Sequence, residues 1–139
     1  MKTSYDIYSI MMDTCAELRK KAQEFKAQAD SCRKGSPDME TVAKFVRASS
    51  EAQAYDGMAD VCKGYAGEVI KLHIRGDEDP VKLASLLHAP AKDCVSKLIY
   101  HKHEGAVSIH SEDPMDAPIN FELARAYEGI LSILAERGI

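Results

Sequence analysis

An unbroken heptad pattern runs through the N-terminal quarter of the chain. Apolar residues recur at alternating spacings of three and four, at Tyr8, Met11, Cys15, Leu18, Ala22, Phe25, Ala29 and Cys32. Residues three and four apart are neighbours on a helical surface, so all eight lie on one side of a helix. The pattern therefore predicts a helix over residues 3–32 whose apolar side packs against a second helix.

A short loop and a second long helix follow this segment. Residues 33–38 begin with two basic residues and contain Gly35, Pro37 and Asp38. Basic residues and a glycine are typical of the end of a helix, and a proline with an aspartate is typical of the start of the next one. Because Gly76 is the next clear stop, the sequence predicts a helix over residues 38–73, antiparallel to the first.

The remaining residues contain shorter apolar segments separated by prolines. Asp79-Pro80 predicts the start of one short helix, Pro90 the start of a second, and residues 119–137 fit a third. Residues 98–110 also fit a short β-hairpin, an alternative that remains open. We therefore expect one all-α domain over residues 1–139, in which a long antiparallel hairpin (1–76) carries three shorter C-terminal helices (77–139).

Composition excludes several classes of protein. The 18 Lys and Arg against 22 Asp and Glu give a net charge of −4, which argues against a protein that binds double-stranded nucleic acid. No apolar run approaches the roughly 18 residues of a membrane span, so no membrane association is expected. The four cysteines form no C-x-x-C pair, so we interpret them as reduced thiols of a cytoplasmic protein.

Cations line one side of the first helix near the predicted loop. Arg19, Lys26 and Arg33 lie seven residues apart, Lys20 lies on the neighbouring row, and antiparallel pairing brings Arg47 to the same end. Guanidinium groups bind phosphate through two parallel hydrogen bonds. This ridge predicts binding of an anionic small molecule, such as a nucleotide, or of an acidic protein partner. The alternative is a solvated surface whose cations are paired with carboxylates.

Small residues recur every seven positions along the second helix, at Ala43, Ser50, Gly57 and Gly64, with Gly67 beside them. Each glycine inside a helix costs about 1 kcal/mol relative to alanine. Either another helix packs closely there or a ligand lies against the backbone, which adds Ser50 and Gly57 to the candidate binding residues. Because the other side of this helix is apolar too, we expect a homo-oligomer formed through helix 2 or the C-terminal helix.

Two further groups of residues could carry chemistry. Asp56 and Asp60 lie four apart on one side of the second helix. Such pairs resemble those of the all-α nucleotide pyrophosphohydrolases, which implies a Mg²⁺ site, although the E-x-x-E expected on the preceding helix is missing. Carboxylates that balance the basic ridge are the simpler interpretation. His101 and His103 would share a metal ion only on a strand, because residues two apart diverge on a helix.

No catalytic motif is present in the sequence. We therefore expect a non-enzymatic, oligomeric binding protein without cofactor or metal that sequesters its ligand. Small size and oligomerisation are also features of small phage-encoded inhibitors that sequester host signals, a likeness of outline without a shared motif. Two alternatives remain open, a Mg²⁺-dependent phosphohydrolase that uses the helix-borne carboxylates and a structural or adaptor scaffold.

Overall fold

The computed structural model describes residues 2–35, 38–111 and 116–139, and its described part is almost entirely helical. The helices are α1 (Ser4–Arg33), α2 (Met39–Ile74), α3 (Pro80–Ile109) and α4 (Asp116–Glu136). Successive helices run in opposite directions, with α1 and α2 forming the long hairpin. The all-α prediction is confirmed. Residues 98–109 belong to α3, so the β-hairpin alternative is wrong.

Side-chain caps fix the first residue of three helices. The Thr3 side chain accepts a hydrogen bond from the Asp6 amide (3.2 Å), and Asp6 accepts one from the Thr3 amide (2.9 Å). Asp38 accepts from the Thr41 amide (2.7 Å) and Asp79 from the Val81 amide (2.9 Å). These contacts satisfy amide groups that lack partners within the helix. The starts of α1, α2 and α3 therefore lie within a residue of their predicted positions; Pro37 lies outside the described residues.

The heptad side of α1 forms the hairpin interface as predicted. Met11, Leu18 and Ala22 are fully buried, and Met58 and Cys62 of α2 are buried with them in the same core. Three other heptad residues, Tyr8, Phe25 and Cys32, are only half-buried. The hairpin interface is therefore closed along its middle and partly open at both ends, at Tyr8 and towards the loop.

One helix, α3, replaces the two short helices expected on either side of Pro90. Pro90 is buried inside α3 and lacks the amide hydrogen that would bond to the preceding turn. The helix nevertheless continues because the turns before and after the proline bury Leu87 and Cys94 in the core. The predicted break at Pro90 is wrong: burial on both sides outweighs the lost hydrogen bond.

The last helix closes the core by packing between α2 and α3. The Cys94 thiol of α3 contacts the backbone carbonyl of Tyr127 (3.4 Å). At the end of the chain, Arg137 pairs with Glu17 of α1 (2.6 Å). The first contact docks α4 on α3 and the second docks the end of the chain on the long hairpin, as expected for the C-terminal part of the chain.

The small residues of α2 lie in two different environments. Ser50 is buried, whereas Gly64 and Gly67 are exposed and Gly57 is half-exposed. Among the residues that the structure describes, no atom beyond their own stretch of helix lies within 4 Å of the position that a Cβ would take at any of these three glycines. The expected close packing of another helix of this chain along the glycines is therefore wrong, and their side of α2 faces outwards.

Candidate ligand-binding groove

The cations near the middle of α1 are paired with carboxylates of α2. Arg19 contacts Asp60 and lies 3.3 Å from Asp56, and Lys26 lies 2.5 Å from the other oxygen of Asp56. The Lys26 ammonium, followed by the Arg19 guanidinium, holds the pKa of the Asp56 carboxyl below its usual range. Arg19 and Lys26, two of the predicted ligand-binding residues, therefore pair with the carboxylates of α2. This agrees with the simpler interpretation, in which Asp56 and Asp60 balance the basic ridge.

Two other members of the basic ridge have different surroundings. The guanidinium carbon of Arg33 lies 5.2 Å from the centroid of the Phe45 ring, a cation–π contact between α1 and α2. Lys20 is exposed and forms no ion pair within the described residues. The ridge is therefore continuous along α1 but does not form one binding surface.

A groove lies between α1 and α2 at the half-open loop end of the hairpin. Its volume is about 550 Å³, within the range of small-molecule sites. We name it the hairpin groove. Its lining consists of Phe25, Gln28, Ser31, Cys32, Lys44, Arg47, Ala48 and Glu51. Of the predicted binding residues, Arg47 lines this groove.

Charged groups occupy the α2 wall of the hairpin groove. Arg47 Nε donates to Glu51 (3.2 Å) and lies 3.7 Å from Oε2 of Glu122 on α4. Both contacts use Nε, and the described residues offer no hydrogen bond to the two terminal nitrogens of Arg47. Lys44 pairs with Glu40 (3.2 Å), and both side chains are well exposed. The wall therefore presents an ammonium and the free end of a guanidinium to a ligand.

The opposite wall is formed by α1 and is less polar. Phe25 is half-buried and packs against Tyr55, with ring centroids 5.2 Å apart. Cys32 is half-exposed, whereas Cys15, Cys62 and Cys94 are buried. Sequence analysis placed Phe25 and Cys32 in the hairpin interface and missed this site. The signal available in the sequence was Ala48 of α2, whose short side chain lines the groove.

Two further grooves contain cations. A groove of about 340 Å³ lies on another side of the hairpin and is lined by Lys26 and Arg33 together with Asp30 and Asp56. Another of about 550 Å³ lies between the end of α2 and the start of α3. We name it the α2–α3 groove. Its lining consists of Glu68, Lys71, Leu72, Arg75, Val81, Lys82, Ser85 and Leu86. The predicted binding residues are therefore divided between separate surfaces, and Ser50 is buried.

One cluster resembles a serine–histidine–acid site by composition. The Ser4 hydroxyl contacts Glu78 and lies 2.9 Å from Nδ1 of His73, while the Ser4 amide donates to Glu78 (2.9 Å). A nucleophilic serine needs access to substrate and a histidine that accepts its proton. Ser4 is completely buried and its hydroxyl donates to Glu78. The cluster therefore joins the start of α1 to the loop after α2.

The histidines proposed as alternative metal ligands are separated. His101 Nδ1 lies 2.9 Å from the Asn120 side chain, and its ring stacks on Tyr127, whereas His103 is exposed. Across residues 2–35, 38–111 and 116–139, no three His, Cys, Asp or Glu residues are placed to hold a metal ion. Within the same residues, no helix has the length and apolar character needed to cross a membrane.

Comparison with known proteins gives no relative. No family model, curated protein or solved structure matches the chain.

Proposed function

We propose that this protein is a non-enzymatic, homo-oligomeric binding protein that sequesters an anionic small molecule in the hairpin groove. One observation carries the proposal: the groove places two cations of α2, Lys44 and Arg47, opposite the aromatic wall of α1 at Phe25. A ligand with a phosphate group and a flat ring, such as a nucleotide, has both complementary parts. Four free thiols suit a reducing cytoplasm.

The aromatic wall favours this groove over the α2–α3 groove, although the latter holds three cations, Lys71, Arg75 and Lys82. In the latter, Lys71 pairs with Glu68 (2.9 Å) and Lys82 with Asp77 (2.7 Å), and none of the lining residues that the structure describes is aromatic. In the hairpin groove, Arg47 keeps its terminal nitrogens for a phosphate, which guanidinium binds in a bidentate manner. An acidic protein partner would use the same cations without filling the groove.

Calorimetric titration of the full chain with ADP in the absence of Mg²⁺ tests the proposal. We expect saturable binding that Arg47→Glu weakens by about tenfold or more. The matched control is Arg75→Glu, which reverses an exposed cation of the α2–α3 groove. Equal weakening by both variants, or by the control alone, would contradict the assignment of the groove. If no adenine, guanine or pyrimidine nucleotide binds, the nucleotide proposal is wrong, and binding of an acidic protein partner or a purely structural role takes its place.

The reactivity of Cys32 gives a second measurement. This thiol lines the groove and is the one half-exposed cysteine of the four. A bound nucleotide should slow the modification of Cys32 by a thiol reagent in proportion to the occupancy of the groove.

Adding Mg²⁺ to samples of the protein with nucleotide tests the phosphohydrolase alternative. Phosphate release that is lost in Asp56→Asn would favour the enzyme.

A further inference from the structure

The C-terminal half of α3 exposes large apolar side chains on its outer side. Val95 is 40% exposed, Ile99 62%, Tyr100 58% and Val107 50%. The opposite side of the same helix buries Leu87 and Cys94 in the core, so α3 has two apolar sides. A packed helix in a monomer needs only one, and a second marks an interaction surface. We name the outer set the α3 stripe: Val95, Ser96, Ile99, Tyr100, His103, Ala106 and Val107.

We propose that the α3 stripe binds a second copy of this chain, with the two α3 helices antiparallel; this inference rests on the oligomeric part of the proposed function. The stripe has nearly the same pattern read in either direction. With a two-fold axis near residue 101, Val95 faces Val107 of the second copy and Ser96 faces Ala106. Such self-complementarity is what a symmetric dimer interface requires.

Charges at the edge of the α3 stripe favour the same arrangement. Lys97 and Glu104 lie seven residues apart, hence on one side of the helix, and both are partly buried. Within the described residues neither forms an ion pair or a hydrogen bond. They are about 10 Å apart along the helix axis and so do not pair with each other. Equivalent edges meet in an antiparallel pair, so Lys97 of each copy lies beside Glu104 of the other.

The size of the α3 stripe sets the expected strength of the dimer. It spans 13 residues, from Val95 to Val107, about 20 Å of helix. A contact of this length covers less than the about 800 Å² per partner that is usual in stable complexes. We therefore expect a reversible dimer that dissociates on dilution, with a dissociation constant on the order of micromolar.

Sedimentation of the full chain over a range of concentrations tests the α3 interface. Val107→Glu should weaken the dimer by at least about tenfold, because each interface would bury two unpaired carboxylates. The double variant Val95→Lys/Val107→Glu should restore it, since the opposite charges then face each other across the axis. The matched control is Val42→Glu, which changes an equally exposed valine of α2 and should leave the dimer intact.

Disulfide formation tests the register independently of these charged variants. In a Cys32→Ser background, oxidation of Ser96→Cys/Ala106→Cys should give a covalent dimer, and Ser96→Cys alone should not. A dimer that Val107→Glu leaves unchanged would overturn the α3 interface alone. A monomer at all concentrations would overturn both the interface and the oligomeric part of the proposed function, while nucleotide titration would still test the hairpin groove.

Discussion

The hydroxyl oxygen of Tyr55 on α2 lies 2.9 Å from the position that a Cβ atom would take at Gly129 on α4. Tyr55 is buried and its ring also packs against Phe25 of α1. The two helices therefore approach so closely that the residue on α4 has no room for a side chain. This glycine has a packing role that Gly57, Gly64 and Gly67 lack.

Replacing Gly129 should destabilise the protein. In an open helix, Gly→Ala gains about 1 kcal/mol of stability. In Gly129→Ala the new methyl group would displace the buried Tyr55 ring, so we expect a net loss of about 1–2 kcal/mol. Urea unfolding measures this loss as a lower midpoint with an unchanged m-value. In a Tyr55→Phe background, which lacks the hydroxyl oxygen, Gly129→Ala should cost much less stability than it does in the wild type. An equal cost in both backgrounds would show that the hydroxyl oxygen is not the obstacle.

Replacing Gly64 should have the opposite effect. Gly64 lies inside α2, is exposed, and has open space where a Cβ would stand. Gly64→Ala removes backbone entropy from the unfolded chain without a clash, and we expect a gain of about 0.5–1 kcal/mol. Thermal unfolding of the variant checks the sign. A loss of stability would indicate that another molecule packs on this side of α2.

Local signals in the sequence were sufficient to predict the long hairpin. The heptad pattern of α1 and the capping residues Asp38 and Asp79 act within a few neighbouring residues, so they can be read without the fold. The continuity of α3 could not be predicted in this way. Whether Pro90 interrupts a helix depends on what the turns around it bury, and that is a property of the tertiary structure.

The candidate site was predicted only in part for a similar reason. The position of Arg47 near the loop follows from antiparallel pairing. However, the pairing of Arg19 and Lys26 with Asp56 depends on the rotation of α2 about its axis. The open wall at Phe25 likewise depends on how far the two helices separate near the loop. Periodicity fixes which residues share one side of a helix, but it does not fix what that side meets.

Acid should weaken the contact between the start of α1 and the loop after α2. Hydrogen bonds from the Ser4 side chain and amide, with a smaller contribution from His73, lower the pKa of the Glu78 carboxyl. A carboxyl whose pKa is lower in the folded state stabilises the fold above its unfolded pKa. That stability is lost as the pH falls below the ordinary glutamate pKa of about 4.3 and through the lower pKa of the folded state.

The variant Glu78→Gln isolates this contribution to acid sensitivity. It keeps the shape of the side chain but removes the ionisable group, so it should be less stable than the wild type at pH 7. The difference between the two proteins should shrink as the pH falls towards 3. Thermal unfolding across this pH range measures both curves. Parallel curves would show that Glu78 does not contribute to the acid transition.

The four thiols should react at very different rates. Burial raises the pKa of the Cys62 and Cys94 thiols to about 12, and neither side chain is accessible. Cys32 is half-exposed in the hairpin groove. Because thiolate is the reactive form, an aromatic disulfide reagent at pH 8 should modify Cys32 quickly. The three buried thiols, Cys15, Cys62 and Cys94, should react only when the protein opens.

Cys32→Ser provides the control for these rates, because it should remove the fast phase and leave the slow phase unchanged. Urea should accelerate the slow phase, because it promotes the unfolding of the core that exposes Cys62 and Cys94 to the reagent. Gly129→Ala should also accelerate the slow phase, in proportion to its loss of stability, because Cys94 contacts α4 at Tyr127, two residues from that glycine. Fast labelling of two or more thiols in the native protein would contradict the burial of Cys15, Cys62 and Cys94.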